Sequence, residues 1–315
     1  MPKPLAIALR IGGGAALLAA MAWYIGPQKI AVSLVNADRR LFGLALLLGL
    51  GGGLCSAMRW AYIARALGLD APARSLIPMY GRAMTSNTLL PGATVSGDLL
   101  RSYELSRRGN PLVDSMASVA LDRLSGLWTL AVLSFAGAGI VVTTGVEAAG
   151  VVPRRDVLTA YGALLFAIVA LPFVPWPLAW LRALPTATAA RVAALWERWQ
   201  DPRTHLKRRV AKSAGMSVAV QLLYAAELAV CARSLGLELP FVVMLAASAP
   251  IFVMAALPLG VAGFGTREIA AVTVFGLAGV PASVAAATSV LFGLVGVLLG
   301  MLAAPLFLAR PALRS

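Results

Sequence analysis

Long apolar runs recur along the chain, and six of them are long enough to cross a bilayer. These runs cover residues 5 to 25, 41 to 64, 112 to 143, 157 to 175, 213 to 233 and 282 to 309. A hydrocarbon layer about 30 Å thick is spanned by about 20 helical residues. The pattern therefore predicts an all-α polytopic membrane protein with six spanning helices.

Two further apolar segments, 75 to 104 and 240 to 277, are interrupted by polar residues, prolines and glycines. The breaks lie at Pro91, Gly92 and Gly97 in the first segment and at Pro258, Gly263 and Gly265 in the second. Irregular backbone at membrane depth is tolerated only where protein or water satisfies its polar groups. We therefore interpret both segments as re-entrant broken hairpins. Residues 240 to 262 are also long enough for a full span, which is the alternative for the second segment.

The two halves of the chain match each other at an offset of about 168 residues. Residues 64 to 70 read ARALGLD, and residues 232 to 238 read ARSLGLE. Offsets of 167 to 170 residues also pair Pro91 with Pro258, Gly97 with Gly265, Gly109 with Gly279 and Pro111 with Pro281. Matches in one order at a nearly constant offset indicate an internal duplication.

Each repeat, over residues 1 to 150 and 151 to 315, then contains three spans and one hairpin. An odd number of spans inserts the second copy upside down relative to the first. The sequence therefore predicts an inverted-topology internal repeat, an arrangement typical of membrane transporters.

Composition and charge are also those of a membrane protein. Of the 315 residues, 60% are apolar and 13% are charged, against about 45 to 50% and 25% in soluble domains. The formal charge of +14 at pH 7 would suggest nucleic acid in a soluble protein. Here the positive-inside rule explains it, and we expect no nucleic-acid partner. The rule places both termini on the cytoplasmic side, and we expect the bacterial inner membrane.

A polar insert interrupts the second repeat at residues 178 to 212 and carries the sequence KRR at positions 207 to 209. An amphipathic helix of this composition lies on the anionic surface of a cytoplasmic leaflet. We predict that role for the insert.

Several ionisable residues lie at membrane depth, where each charge must face a partner or a polar cavity. The candidate headgroup-binding residues lie in the hairpins and the third span: Arg82, Asn87, Asp98, Arg101, Asp122, Arg123, Arg267 and Glu268. Arginine beside the N–H groups of a helix start suits an anionic headgroup. Arg59 and Glu227 stand 168 residues apart, at equivalent positions of the repeat. We expect an ion pair between them, either structural or part of a substrate site.

Groups that support catalysis are scarce in this sequence. His205 is the only histidine, and Cys55 and Cys231 each lie inside an apolar run. We therefore expect no disulfide, no metal site and no cofactor, and we find no phosphate-binding glycine loop. The sequence favours a transporter over an enzyme.

Three stretches together resemble a known family. They are Asn87 to Gly92 with Gly97-Asp98-x-x-Arg101, then Leu121-Asp122-Arg123-Leu124, and finally Pro258 to Glu268. Over nearly the whole chain the sequence resembles the flippase-like membrane domain of lysylphosphatidylglycerol synthases, whose members often carry Glu at the positions of Asp98 and Asp122. The resemblance implies movement of an aminoacylated phospholipid between leaflets. Because the soluble synthase domain of that family is not part of this sequence, we expect a stand-alone translocator that does not transfer lysine.

The leading hypothesis is a lipid flippase that binds a polar headgroup between the two hairpins. The lipid is a phospholipid, an aminoacyl-phospholipid or a glycolipid, with an anionic or phosphate-bearing headgroup. On this hypothesis Arg101→Ala abolishes transport without unfolding the protein. The alternative is an accessory subunit that presents a lipid or polyprenyl-linked substrate to a glycosyltransferase, and a third hypothesis is a membrane-embedded lipid-modifying enzyme. A second copy of the chain and a lipid-modifying enzyme both stay open as protein partners.

Overall fold

The computed structural model describes residues 35–89, 95–144, 205–257 and 263–308, with a few isolated positions between 163 and 201. This part of the chain forms eight α-helices and one short 3-10 helix, and it contains no strand. The first four helices are α1 (Arg39–Ala66), α2 (Ala73–Leu89), α3 (Val95–Ser106) and α4 (Leu112–Thr144). The next four are α5 (Leu206–Ser234), α6 (Phe241–Ala256), α7 (Thr266–Gly276) and α8 (Ala282–Leu302), followed by the 3-10 helix Ala304–Phe307.

Four candidate spans match four of the predicted apolar runs. They are Arg39–Ala66, Leu112–Thr144, Arg208–Ser234 and Ala282–Phe307. The predicted spans at 5 to 25 and 157 to 175 lie outside the described residues, as do both termini and most of the polar insert. The end of the insert forms the first turns of α5. The all-helical membrane architecture is confirmed, and the count of six spans stays a prediction.

Each interrupted segment consists of two short helices. In the first, Arg82 of α2 pairs with Glu104 of α3, and Asn87 pairs with Gly97, so the two helices run antiparallel. In the second, α6 ends at Ala256 after 16 residues, which is about 24 Å of helix. The predicted breaks at Pro91, Gly92 and Pro258 lie outside the described residues. The re-entrant course of both segments stays a prediction.

The helix order of the first half recurs in the second. Helices α5 to α8 begin 167, 168, 171 and 170 residues after α1 to α4. Gly68 and Gly236 end α1 and α5 with positive φ angles of 84° and 77°, a conformation that costs glycine little. The Leu69 amide then donates to the Ala64 carbonyl at 3.1 Å, as the Leu237 amide does to Ala232 at 3.0 Å. The proposed boundary at residue 150 lies outside the described residues.

The equivalent helices α1 and α5 pack against each other along most of their lengths. Gly49 of α1 lies against Glu227, Gly52 against Tyr224, and Arg59 donates to Ser217. Because positions rise along α1 as they fall along α5, the two helices are antiparallel. Glycines at this interface let the two backbones approach closely.

The helices of each interrupted segment also pack on the other half of the chain. Helix α2 contacts α8, where the Thr85 hydroxyl donates to the Gly300 carbonyl at 2.6 Å. Helix α6 contacts α4, where the Ser134 hydroxyl donates to the Ala246 carbonyl. The two halves are therefore interlocked, and each one supplies buried partners for the other.

Candidate functional site

Five charged side chains from α1, α3 and α4 form a continuous series of ion pairs, called here the charge chain. Asp122 accepts from Arg59 Nε at 2.8 Å and from Arg101 Nη1 at 3.1 Å. Asp98 accepts from Arg101 Nη2 at 2.6 Å and from Arg123 Nε at 2.9 Å. Three arginines and two aspartates give the charge chain a formal charge of +1.

One end of the charge chain is closed and the other is open. The side chains of Asp122 and Arg101 are each 2% exposed, whereas Asp98 is 23% and Arg123 is 37% exposed. Buried charges persist only when each one is paired, because their desolvation is otherwise uncompensated. The Asp98–Arg123 end is therefore the part of the charge chain where another molecule can exchange with these partners.

Arg101 occupies the centre of the charge chain and is held on every side. Its guanidinium group lies 4.9 Å from the ring centre of Trp60 and 5.0 Å from that of Tyr80, within the range of cation–π attraction. Trp60 is fixed in turn by a 3.2 Å hydrogen bond from its Nε1 to the Ser118 hydroxyl. Arg101 therefore supports the site from inside, and Arg123 is the arginine that faces outward.

Asn87 and Gly97 fasten the start of α3 to the end of α2. The Gly97 amide donates to Asn87 Oδ1 at 2.7 Å. A Cβ atom at position 97 would lie 2.5 Å from both that oxygen and the Ala83 carbonyl. This contact needs glycine, and it fixes the helix that carries Asp98 and Arg101. Asn87 was predicted to bind a headgroup, and in the structure its amide oxygen is bound to Gly97.

Arg82 lies outside the charge chain. It forms two hydrogen bonds with Glu104, at 2.7 and 2.8 Å, and donates a third at 3.2 Å to the Leu306 carbonyl. It thus joins α2, α3 and the 3-10 helix. Sequence reasoning missed Glu104 because nothing in the local pattern sets it apart until α2 and α3 are placed side by side.

Arg267 and Glu268 form a second, separate cluster at the start of α7. Glu268 accepts from Arg267 at 2.9 Å, from the Ser289 hydroxyl at 3.0 Å and from the Gly265 amide at 2.6 Å. Phe264 flanks the Arg267 guanidinium at 4.7 Å. Both charged residues are buried and satisfied by each other and their neighbours. The described contacts leave this cluster closed, in contrast to the Arg123 end.

The expected ion pair between Arg59 and Glu227 is not formed, because Arg59 pairs with Asp122. Antiparallel packing explains the difference. Glu227 lies at the level of Gly49, ten residues along α1 from Arg59, which is about 15 Å of helix. Equivalent positions in two antiparallel helices meet only near the centre of their contact, and these two lie to either side of it.

Paired charges inside antiparallel membrane helices define this chain as a multi-pass membrane protein with a polar interior. It belongs to the family of the lysylphosphatidylglycerol synthase transmembrane region, whose model matches residues 5–304. The resemblance inferred from its motifs is therefore confirmed, and membership indicates a lipid-related membrane function.

The chain is also similar to a UPF0104 membrane protein of Methanothermobacter thermautotrophicus. The two are 35% identical over 130 residues, which is 39% of this chain. The match spans 38% of the relative's own length.

Proposed function

We propose that the protein moves a polar-headgroup lipid between the two leaflets of a membrane and that the headgroup binds at Asp98 and Arg123. The observation that carries this proposal is the charge chain, which has a formal charge of +1, is buried at Asp122 and is open at Arg123. An anionic group compensates the excess positive charge. A guanidinium group also binds phosphate through paired hydrogen bonds.

The surroundings of this pair suit a lipid. Exposed apolar side chains flank it on the two helices that it joins: Val95, Leu99 and Tyr103 on α3, and Met116, Leu124 and Leu127 on α4. Such surfaces pack against acyl chains while the headgroup reaches the charged pair. A zwitterionic or aminoacylated headgroup gains a second contact, because its phosphate binds Arg123 and its amine binds Asp98.

Movement between leaflets is served by the relation between the two halves. Antiparallel packing of the equivalent helices α1 and α5 is what an inverted repeat produces. In transporters built this way, one repeat rocks against the other around a site near the midplane. We propose the same motion here, with six spans and two re-entrant hairpins, and with binding and release in place of catalysis.

Leaflet exchange of fluorescent phospholipids in proteoliposomes tests this function. Arg123→Gln removes the outward-facing charge, and we expect exchange to slow roughly 10- to 100-fold, as for the loss of a charged hydrogen bond worth about 1.5 to 3 kcal/mol. Arg107→Gln, the same change at an exposed loop position, serves as the matched control and should exchange at the wild-type rate. Undiminished exchange by Arg123→Gln with anionic and zwitterionic lipids alike would contradict the proposal.

A further inference from the structure

Glu227 is a buried acid that the charge chain does not use. It lies on α5 with 2% of its surface exposed. Among the described residues, no hydrogen bond or ion pair to its carboxyl group is found. Its repeat equivalent Arg59, by contrast, is bound to both Asp122 and Ser217.

The carboxyl group occupies space that Gly49 leaves open on α1. A Cβ atom at position 49 would lie 3.0 Å from Glu227 Oε2, and equally 3.0 Å from side-chain carbons of Val295 and Leu299 on α8. The acid is therefore enclosed by glycine backbone and two aliphatic side chains. Its walls offer no group that stabilises a negative charge.

Few ionisable groups face this pocket. On α5 itself, Tyr224 and Cys231 lie about one turn to either side of Glu227. Arg267 on α7 is the cation whose field reaches it, but that charge is already compensated by Glu268 at 2.9 Å. On α1 the nearest cation along the interface is Arg59, which is bound elsewhere, and neither α6 nor α8 contains a titratable residue.

An ionised carboxylate in such a pocket is strongly disfavoured, and a buried acid without a partner is neutral instead. We propose that Glu227 is a proton-binding site and that its proton is the ion coupled to lipid movement; the coupling rests on the function proposed above. When α1 and α5 separate on one side of the membrane, the carboxylate takes a proton from water. When they separate on the other side, the O–H bond breaks and the proton returns to water there.

Placement between the two halves gives this proton a role that a surface acid lacks. The carboxyl group lies in the α1–α5 interface, where motion of one repeat against the other changes its access to water. It is accommodated in the closed interface only when neutral, so the loaded and unloaded states favour different arrangements of the halves. The charge chain and Glu227 then hold the headgroup and the proton on equivalent elements of the two repeats.

Infrared spectroscopy of the full chain in lipid nanodiscs tests the proton site without any transport. We expect the carbonyl stretch of a protonated carboxyl group at neutral pH in the wild type, and its loss in Glu227→Gln. Glu238→Gln, the same change at an exposed position, should keep the band. A spectrum without this band in the wild type, or with an unchanged band in Glu227→Gln, would overturn the proposal.

Coupling is tested by leaflet exchange in proteoliposomes with and without an imposed pH gradient. The wild type and Glu238→Gln should show exchange rates that depend on the gradient, whereas in Glu227→Gln the ratio of the two rates should fall to one. Gradient-dependent exchange by Glu227→Gln would overturn the coupling. Loss of all exchange in Glu227→Gln, with the infrared band assigned to Glu227, would support an obligatory proton. Absence of exchange in the wild type would contradict the translocator and its coupling, and the infrared band would still decide the proton site.

Discussion

Arg59 donates a hydrogen bond of 3.1 Å to Ser217, the residue that the internal repeat makes equivalent to Gly49. Glu227, the equivalent of Arg59, lies against Gly49 itself. The two contacts are thus copies of one another, related by the antiparallel packing of α1 and α5. One copy holds a cation that is fully paired, and the other holds an acid in an apolar pocket.

The antiparallel relation predicts opposite locations for the ends of α1 and α5. Asp70 and Glu238 are exposed, occupy equivalent positions and follow the same type of turn. We expect a membrane-impermeant maleimide to label Asp70→Cys from one side of the membrane and Glu238→Cys from the other. The background is a chain in which Cys55 and Cys231 are replaced by alanine. Labelling of both new cysteines from a single side would contradict the inverted repeat.

Asp122 is predicted to be essential for stability. It accepts from two buried arginines, so Asp122→Asn leaves a net charge of +2 in the charge chain. Removing one partner of a buried ion pair costs about 3 to 5 kcal/mol. We expect a loss of this order in denaturant unfolding of the detergent-solubilised protein. Asp114→Asn, in the less buried first turn of the same helix, should change the free energy of unfolding by under about 1 kcal/mol, and equal effects of the two changes would argue against the network.

Arg101 and Arg123 are predicted to fail in different ways when they are replaced by alanine. Arg101 is enclosed by two aspartates and two aromatic rings, so Arg101→Ala should destabilise the protein by about 3 to 5 kcal/mol. Arg123 is partly exposed, so Arg123→Ala should cost about 1 kcal/mol or less while slowing lipid exchange. Thermal unfolding measured beside exchange separates the two. A stable, inactive Arg101→Ala protein would restore Arg101 to the role expected from the sequence alone.

Two glycines on α8 are predicted to respond oppositely to alanine. A Cβ atom at Gly293 would overlap the Arg267 guanidinium, whereas one at Gly296 meets open space. Gly293→Ala should therefore destabilise the fold by about 1 to 3 kcal/mol. Gly296→Ala should stabilise it by about 0.5 to 1 kcal/mol through higher helix propensity. Unfolding midpoints that rise for both variants would show that Arg267 does not cross α8 at Gly293.

Local signals account for what the sequence predicted well. Helices α1, α4, α5 and α8 are long apolar runs, and their ends follow turn residues that recur at a fixed offset. Asp98, Arg101, Asp122 and Arg123 were singled out because a charge at membrane depth needs a partner, and the structure brings these four together.

Partner choice and exposure were not predictable in the same way. Arg59 pairs with Asp122 because α1 crosses α4 at that level, a fact of packing that the internal repeat does not contain. Arg82 binds Glu104 only because α2 and α3 fold back on each other. The open end of the charge chain at Arg123 depends on which face of α4 is left uncovered, and Asp122, the adjacent residue, is buried.

The contact of α2 with α8 affects how the protein is made. Thr85 and its partner Gly300 are 215 residues apart, so α2 leaves the ribosome roughly 10 to 40 s before α8 at a synthesis rate of about 5 to 20 residues per second. Throughout that interval the face of α2 that α8 will cover has no partner from its own chain. A nascent chain of this kind depends on the insertion machinery to shelter the unfinished first half, and it reaches its native membrane structure only after its last helix has arrived.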